Sequence, residues 1–320
     1  MFNEETITVS IFCIVYNHAP FIRQCLEGFL IQKTNFKFEI ILHDDCSSDG
    51  TTDIVKEFAE KYPDLIVPII QSVNQYQNGE KNIIATFMYP KARGKYLCIC
   101  EGDDYWTDSL KLQKQVDYLE THPKCGLVYT NLYELRNTQL IKKKGRLASF
   151  DDLMIENSIH TLTAMFRRQD YTDYIKEIEP QKRMWEMGDY PLWLYLAYNY
   201  DVAMINDYTS VYRVLTNSAS HFGKDELERE FRFAMNAHDI RYYYFQKYHL
   251  SELKDKLDIM RHETLLRCKI KCKMNIEEDV SFLRNIRPFR IKDWLIWVLV
   301  HLYPFPLTYS ILRSLLIRYK

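Results

Sequence analysis

A chain of 320 residues holds one large domain, or a domain with an appendage, and its hydrophobic share of 47% is ample for a sizeable core. Lys+Arg 42 against Asp+Glu 43 leaves a net charge of -1, and no basic stripe crosses the enzyme-like part, so the electrostatic footprint of a nucleic-acid binder is missing. The eight Cys follow no disulfide pattern and no zinc spacing, which predicts reduced structural thiols and a cytosolic setting.

The N-terminal MFNEETITVSIF has no basic n-region and runs straight into a strand, unlike a secretory signal. Residues 7–14 are a β-branched apolar run, and residues 21–31 follow with Ile22, Leu26, Phe29 and Leu30 at helical spacing. Residues 38–42 predict a second strand, ending at His43-Asp44-Asp45. The polar turn 47–51 leads to a helix marked by Ile54, Val55, Phe58 and Ala59. Residues 65–70 predict a third strand, and Pro68 puts it at an edge or makes it irregular. Residues 83–89 read as a helix and residues 96–100 as a fourth strand. Asp108 is the expected cap of a helix carrying Leu112, Val116 and Leu119, with Pro123 after its end. Further strands are predicted at 127–130 and 161–166, an aromatic-rich helix at 185–198, and charged helices over 225–274. Strands alternating with helices imply right-handed βαβ units and a mostly parallel sheet, with ligands beyond the carboxyl ends of its strands. Tyr16-Asn17, Asp44-Asp45 and Glu101–Asp104 all follow apolar strands, so they should meet on one face.

The strongest chemical signal is Glu101-Gly102-Asp103-Asp104. Three carboxylates in four residues repel one another unless a cation or ligand neutralises them. Hard oxygen ligands of this kind suit Mg²⁺ or Mn²⁺, which can bridge the phosphates of a nucleoside diphosphate. A solvated acidic turn is the competing reading of these four residues taken alone.

Three segments in order, VSIFCIVYNHAPFIRQCLEGFLIQ, EIILHDDCSSDGTTDIV and ARGKYLCICEGDDYW, resemble family 2 of the inverting glycosyltransferases, which have the GT-A fold. The similarity is close over residues 7–131 and continues weakly to 223. It implies an α/β GT-A domain over residues 1–223, with nucleotide binding in 1–131 and the acceptor part in 132–223. A helical C-terminal region over 224–320 follows. By the same resemblance Asp45 contacts the nucleobase, Tyr16 packs on it and Asp44 supports the turn. Asp103 is the first choice as metal ligand, and Glu101, the other acidic position, acts on metal, ribose or water. Asp189, in Trp185-Glu186-Met187-Gly188-Asp189, falls where the family has its catalytic base, with an N-cap role also open to it. Lys81 and Arg93 are candidate phosphate contacts, with a plain surface charge the favoured reading of each, and His160-Thr161 are candidate acceptor contacts. The family's Tyr-Arg-x-His loop reads here as Tyr212-Arg213-Val214-Leu215, with His221 as the substitute metal ligand.

The resemblance thus implies transfer from a nucleotide-sugar donor, a UDP-sugar by family tendency, with Mn²⁺ or Mg²⁺. The acceptor would be a glycan or lipid-linked glycan in bacterial surface polysaccharide synthesis, and nucleic acid has no part. A non-catalytic glycan-binding protein on the same fold is the alternative. In the tail, Arg284, Arg287, Arg290 and Lys292 precede an apolar run over 294–303 that is too short to span a bilayer. Its Trp, Tyr and basic residues suit the headgroup region at the inner face of the cell membrane, or else packing against the protein.

Overall fold

The computed structural model describes residues 6–215, 226–271, 275–285, 296–298 and 300–301. The chain divides into two compact units, Met1–Leu215 and Thr216–Lys320.

The first unit opens with β1 (Ile7–Val15), α1 (Ile22–Leu30), β2 (Lys37–Asp44), α2 (Thr51–Lys61) and β3 (Ile66–Ile70). A π-helical turn, Ile84–Met88, precedes β4 (Tyr96–Ile99) and the two-residue β5 (Tyr105–Trp106). Next come α3 (Lys111–Thr121), the long β6 (Cys125–Arg136), β7 (Gln139–Lys143) and α4 (Phe150–Ile155). The unit ends with β8 (Met165–Arg167), α5 (Arg168–Ile178), α6 (Tyr190–Asn199) and β9 (Asp201–Arg213).

Among the described residues the strands form one mixed sheet in the order β3-β2-β1-β4-β8-β6-β9-β5, with β7 paired to β6. The β3-β2-β1-β4 half is parallel throughout, and β8 lies antiparallel to both β4 and β6. Helices cover both faces of the parallel half, so β1 and β4 are buried on both sides and read as continuous apolar runs. Pro68 is accommodated because β3 is the edge strand. The core joins Val9, Ile11 and Val15 of β1 to Leu26 and Phe29 of α1, Leu42 of β2, Cys98 of β4 and Leu112 and Val116 of α3.

Several expectations change. Residues 83–89 make a π turn rather than a plain helix. Residues 161–166 split into the 3-10 turn Thr161–Thr163 and strand β8. Leu110, not Asp108, holds the N-cap position of α3; Asp108 accepts from Leu110 N–H at 2.8 Å and so shapes the approach to the helix. The strands β5, β7 and β9 carry weak local signals. The pairing of β9 with β6 over its whole length establishes it, and tertiary context outweighs its mixed composition.

The second unit contains α7 (Glu226–Lys247), α8 (Lys254–Lys271) and α9 (Glu277–Arg284), as its charged helical pattern predicts. It has its own core, in which Leu266 and Ile270 pack with Val280, Leu283, Ile296 and Val300. Asp279 is fully buried between His262 (2.9 Å) and Lys269 (2.6 Å). All seven Cys among the described residues are free thiols, in keeping with the reduced state expected from their spacing.

Candidate active site

The sheet order reverses at β1, which lies between β2 and β4. Loops after neighbouring parallel strands diverge at such a point and leave a crevice at their carboxyl ends. Tyr16–His18, Asp44-Asp45 and Glu101–Asp104 all sit on this rim, as their positions after strands predict.

Side chains stitch the loops together. Asn17 has a left-handed backbone (φ 55°), a conformation Asn tolerates; its N–H donates to Ser47 Oγ and its Oδ1 accepts from Ser48 N–H. His18 N–H donates to Thr51 Oγ1 at 2.8 Å, and Ala19 N–H to Asp49 at 2.9 Å. Asp44 is buried and accepts from Ser47 (N–H at 3.1 Å, Oγ at 2.5 Å) and Thr52 Oγ1 (2.5 Å), the turn-supporting role expected of it. Asp45 does something the sequence did not announce. Its two carboxylate oxygens accept from the backbone N–H groups of Gln75 (2.8 Å) and Tyr76 (3.1 Å), and its carbonyl accepts from Asn74. It thereby fixes the segment after β3 over the crevice. There Gln77 donates to the Tyr16 hydroxyl (3.3 Å), and Lys81 Nζ lies 3.8 Å from the centre of the Tyr76 ring. Tyr16, Asp45 and Lys81 therefore belong to one wall.

The acidic loop forms the floor. Gly102 N–H donates to Ile14 O, and a Cβ at Gly102 would stand 2.3 Å from Val15 Cγ1, so a larger residue would push the loop off β1. Gly28 plays the matching part in α1, where a Cβ would lie 2.8 Å from the Trp106 carbonyl oxygen. Arg213, at the end of β9, binds the loop from the far side. Its guanidinium donates to the Asp103 carbonyl and to Gln24, lies 4.4 Å from the centre of the Tyr105 ring, and its N–H donates to Asp104 at 2.8 Å. Burial, then the charges of Asp103 and Glu101, push the Asp104 carboxyl well above the ordinary range. Asp104 thus serves the loop's architecture, while Asp103 and Glu101 remain partly exposed to the crevice.

Asp189 arrives from the other half of the sheet. It is the N-cap of α6, with Oδ1 accepting from Tyr190 N–H (2.7 Å), Oδ2 accepting from Thr161 Oγ1 (3.1 Å) and Pro191 in the first turn. Burial, Asp103 and Asp189 together raise Glu101 to about 8. Asp189 is therefore close enough to the acidic loop to act on it electrostatically. Burial holds the neighbouring His160 below its usual range, against the opposing pull of Glu134 and Asp189.

Arg93 is held in an ion pair with a buried carboxylate. Its guanidinium lies 2.6 Å from Glu39, which is fully buried and also accepts from Ser10 Oγ (2.7 Å) and Arg93 N–H (2.7 Å). His221 lies outside the described residues. Among the described residues no three His, Cys, Asp or Glu side chains form a closed metal site. The donor set still fits a hard divalent ion: Asp103 and Glu101 are oxygen ligands whose mutual repulsion a cation would relieve, with phosphate oxygens completing its shell.

The first unit is thus a mixed sheet with a switch-point crevice floored by acids. The chain matches the mannosyltransferase PcManGT of Pyrobaculum calidifontis, solved with GDP-Man and Mn²⁺, at a TM-score of 0.58 and 17% identity, over 98% of this chain and 85% of that one. The fold is GT-A. The chain belongs to glycosyl transferase family 2, whose model matches residues 10–177. It is 36% identical over 213 residues to the uncharacterized protein Rv1520 of Mycobacterium tuberculosis, covering 64% of this chain and 58% of that protein. The chain thus spans little more than half the length of that relative. It is also 31% identical over 125 residues to WfaP of Escherichia coli, a UDP-Glc:alpha-D-GlcNAc-diphosphoundecaprenol beta-1,3-glucosyltransferase, covering 39% of this chain and 46% of that one.

Two residues at the site were not singled out from sequence. Arg213 was read only as part of a loop motif, and His18 only stood within the first family-like segment. The available signal for His18 was its position directly after a buried strand, on the rim where the other polar clusters converge.

Proposed function

We propose that the chain is an inverting, metal-dependent glycosyltransferase that moves a sugar from a UDP-sugar to a hydroxyl of a glycan or lipid-linked glycan. The single observation that supports this is that Asp189, the cap of α6, lies near enough to Glu101 to help raise its carboxyl, though 88 residues of chain separate the two. An inverting displacement needs one base to take the acceptor proton, and a donor site on the opposite side of the reacting carbon. Asp189 supplies the base: Thr161 and the start of α6 orient its carboxylate, and Oδ2 keeps lone pairs for an acceptor hydroxyl.

On the donor side Tyr16 offers its ring to the base, and Asp45 shapes that pocket while its remaining lone pairs can accept an imide N–H. Lys81 stands on the same wall and can meet phosphate. Asp103 and Glu101 would hold Mn²⁺ or Mg²⁺, which when bound offsets the charge that builds on the departing diphosphate. Work on a UDP donor and a diphosphoundecaprenol-linked acceptor by WfaP supports UDP and a carrier-linked glycan here, and so a place in bacterial surface polysaccharide synthesis. The Mn²⁺ in the mannosyltransferase complex supports the metal.

The test pairs binding with turnover. A ligand that binds only the folded chain raises its melting temperature by mass action. UDP should raise it in the presence of Mn²⁺, and Asp103→Ala should abolish that shift. Asp189→Asn should keep the shift yet lose roughly 100- to 10,000-fold in transfer. Near-full turnover by Asp189→Asn would remove Asp189 from the mechanism, and a UDP shift indifferent to Mn²⁺ would remove the metal.

A further inference from the structure

His18, in the loop after β1, faces the acidic loop. Its backbone is fixed on both sides: the N–H donates to Thr51 Oγ1 (2.8 Å), and the carbonyl accepts from Phe21 N–H (2.8 Å) and Ile22 N–H (2.9 Å). Gly102 leaves room for the ring, since a Cβ there would lie 3.1 Å from His18 Nδ1. The two ring nitrogens have opposite surroundings. Nδ1 is sealed from solvent and has no hydrogen-bond partner, whereas Nε2 lies 4.0 Å from Asp103 Oδ2.

That asymmetry selects a tautomer. A buried N–H without an acceptor is rarer than a buried lone pair without a donor. The Asp103 carboxylate also attracts a proton to the nitrogen nearer to it. Both effects put the proton on Nε2. An Nε2–H has no lone pair for a metal, and 4.0 Å is too long for a hydrogen bond to Asp103. His18 is therefore a preoriented N–H donor on the crevice rim beside the leading metal-ligand candidate.

We propose that His18 Nε2–H donates a hydrogen bond to a diphosphate oxygen of the nucleotide donor, so that His18 reads the diphosphate rather than the base. This rests on the donor-site reading above. The bond would persist as the diphosphate departs, and it needs no change in protonation.

The experiment measures Mn²⁺-supported UDP binding by calorimetry and uridine binding by ligand-observed NMR, for the wild type, His18→Phe and His18→Gln. His18→Phe should weaken UDP binding roughly 10- to 100-fold, the worth of a hydrogen bond to a charged group. Uridine binding should stay within about twofold, because the base wall is intact. His18→Gln, which restores an N–H donor, should recover part of the UDP affinity. Unchanged UDP affinity in His18→Phe overturns the proposal, as does an equal loss for UDP and uridine, which would indicate a collapsed rim. Spin-echo spectra of bound Mn²⁺ give a further readout: a nitrogen coupling present in the wild type and lost in His18→Gln would make His18 a metal ligand and overturn the donor role. Failure of the wild type to bind any of UDP, GDP, CDP, ADP or dTDP would instead remove the donor site itself, and this proposal with it.

Discussion

Glu101 shows how one residue carries both a chemical motif and a cost. It sits partly buried between Asp103 and Asp189, and its carboxyl is pushed from 4.5 up to about 8. A carboxyl raised in this way holds more protons in the folded state than in the unfolded chain. The contribution of Glu101 to metal-free stability therefore falls as pH rises from about 4.5 toward about 8. Other groups run the opposite way. Burial holds His18, His43 and His160 below 6.5, so they add stability as pH rises through the acid range. Burial also pushes Lys111 from 10.5 down to about 8, adding stability above about pH 8. The comparison with Glu101→Gln isolates the carboxyl. Without metal, the variant should be more stable than the wild type at pH 8, by on the order of 3 kcal/mol, with the gap closing toward pH 5. Mn²⁺ should narrow the pH 8 gap by neutralising the wild-type cluster. Urea unfolding at the two pH values reads this directly, and a gap independent of pH would mean that Glu101 ionises as an ordinary carboxyl.

At the scale of elements, local pattern was enough for the parallel half. The apolar runs of β1, β2 and β4 and the spacing in α1, α2 and α3 are each visible within a dozen residues, and Pro68 even marked β3 as an edge or irregular strand. The Arg93–Glu39 pair was not visible, because its partners lie 54 residues apart and meet only when β2 and the approach to β4 flank β1. An exposed-looking Arg in a polar stretch reads as a surface charge or a phosphate contact until its buried partner is seen. Arg93→Ala should cost about 3 kcal/mol, since it strips the charge that compensates a buried carboxylate. Glu39→Gln in that background should recover much of the loss. Nucleotide binding by the folded fraction should not change; a specific loss of UDP affinity in Arg93→Ala would restore the phosphate reading.

For the whole molecule, the two units have separate cores, and the apolar run near the C-terminus is partly spoken for. Ile296 and Val300 are buried with Val280 and Leu283, and the Val300 carbonyl accepts from Arg284 Nε at 2.7 Å. No helix among the described residues is long and apolar enough to cross a membrane. Membrane contact by the tail is thus a proposal for residues beyond this buried pair, among them Arg313, Arg318 and Lys320, which lie outside the described residues. A chain ending at residue 301 keeps Ile296 and Val300. It should fold as the full chain does, but sediment less with phosphatidylglycerol vesicles, and the full chain's binding should weaken with salt. Equal sedimentation of the two chains would assign the tail to packing against the protein.

Residues 7–131 alone determined the strand-helix alternation, the family and the acidic loop, because each of these is written in contiguous residues whose periodicity or turn chemistry acts locally. Tertiary structure decided the rest. It set the mixed order of the sheet, in which β8 and β9 return beside much earlier strands, and it gave Asp45 and Arg93 bonds to the backbone and core that no local pattern announces. It also brought Asp189 to Glu101, and His18 to Asp103. These pairings depend on which loops share the end of a sheet. No local preference encodes that, since it follows from burying the whole apolar surface at once.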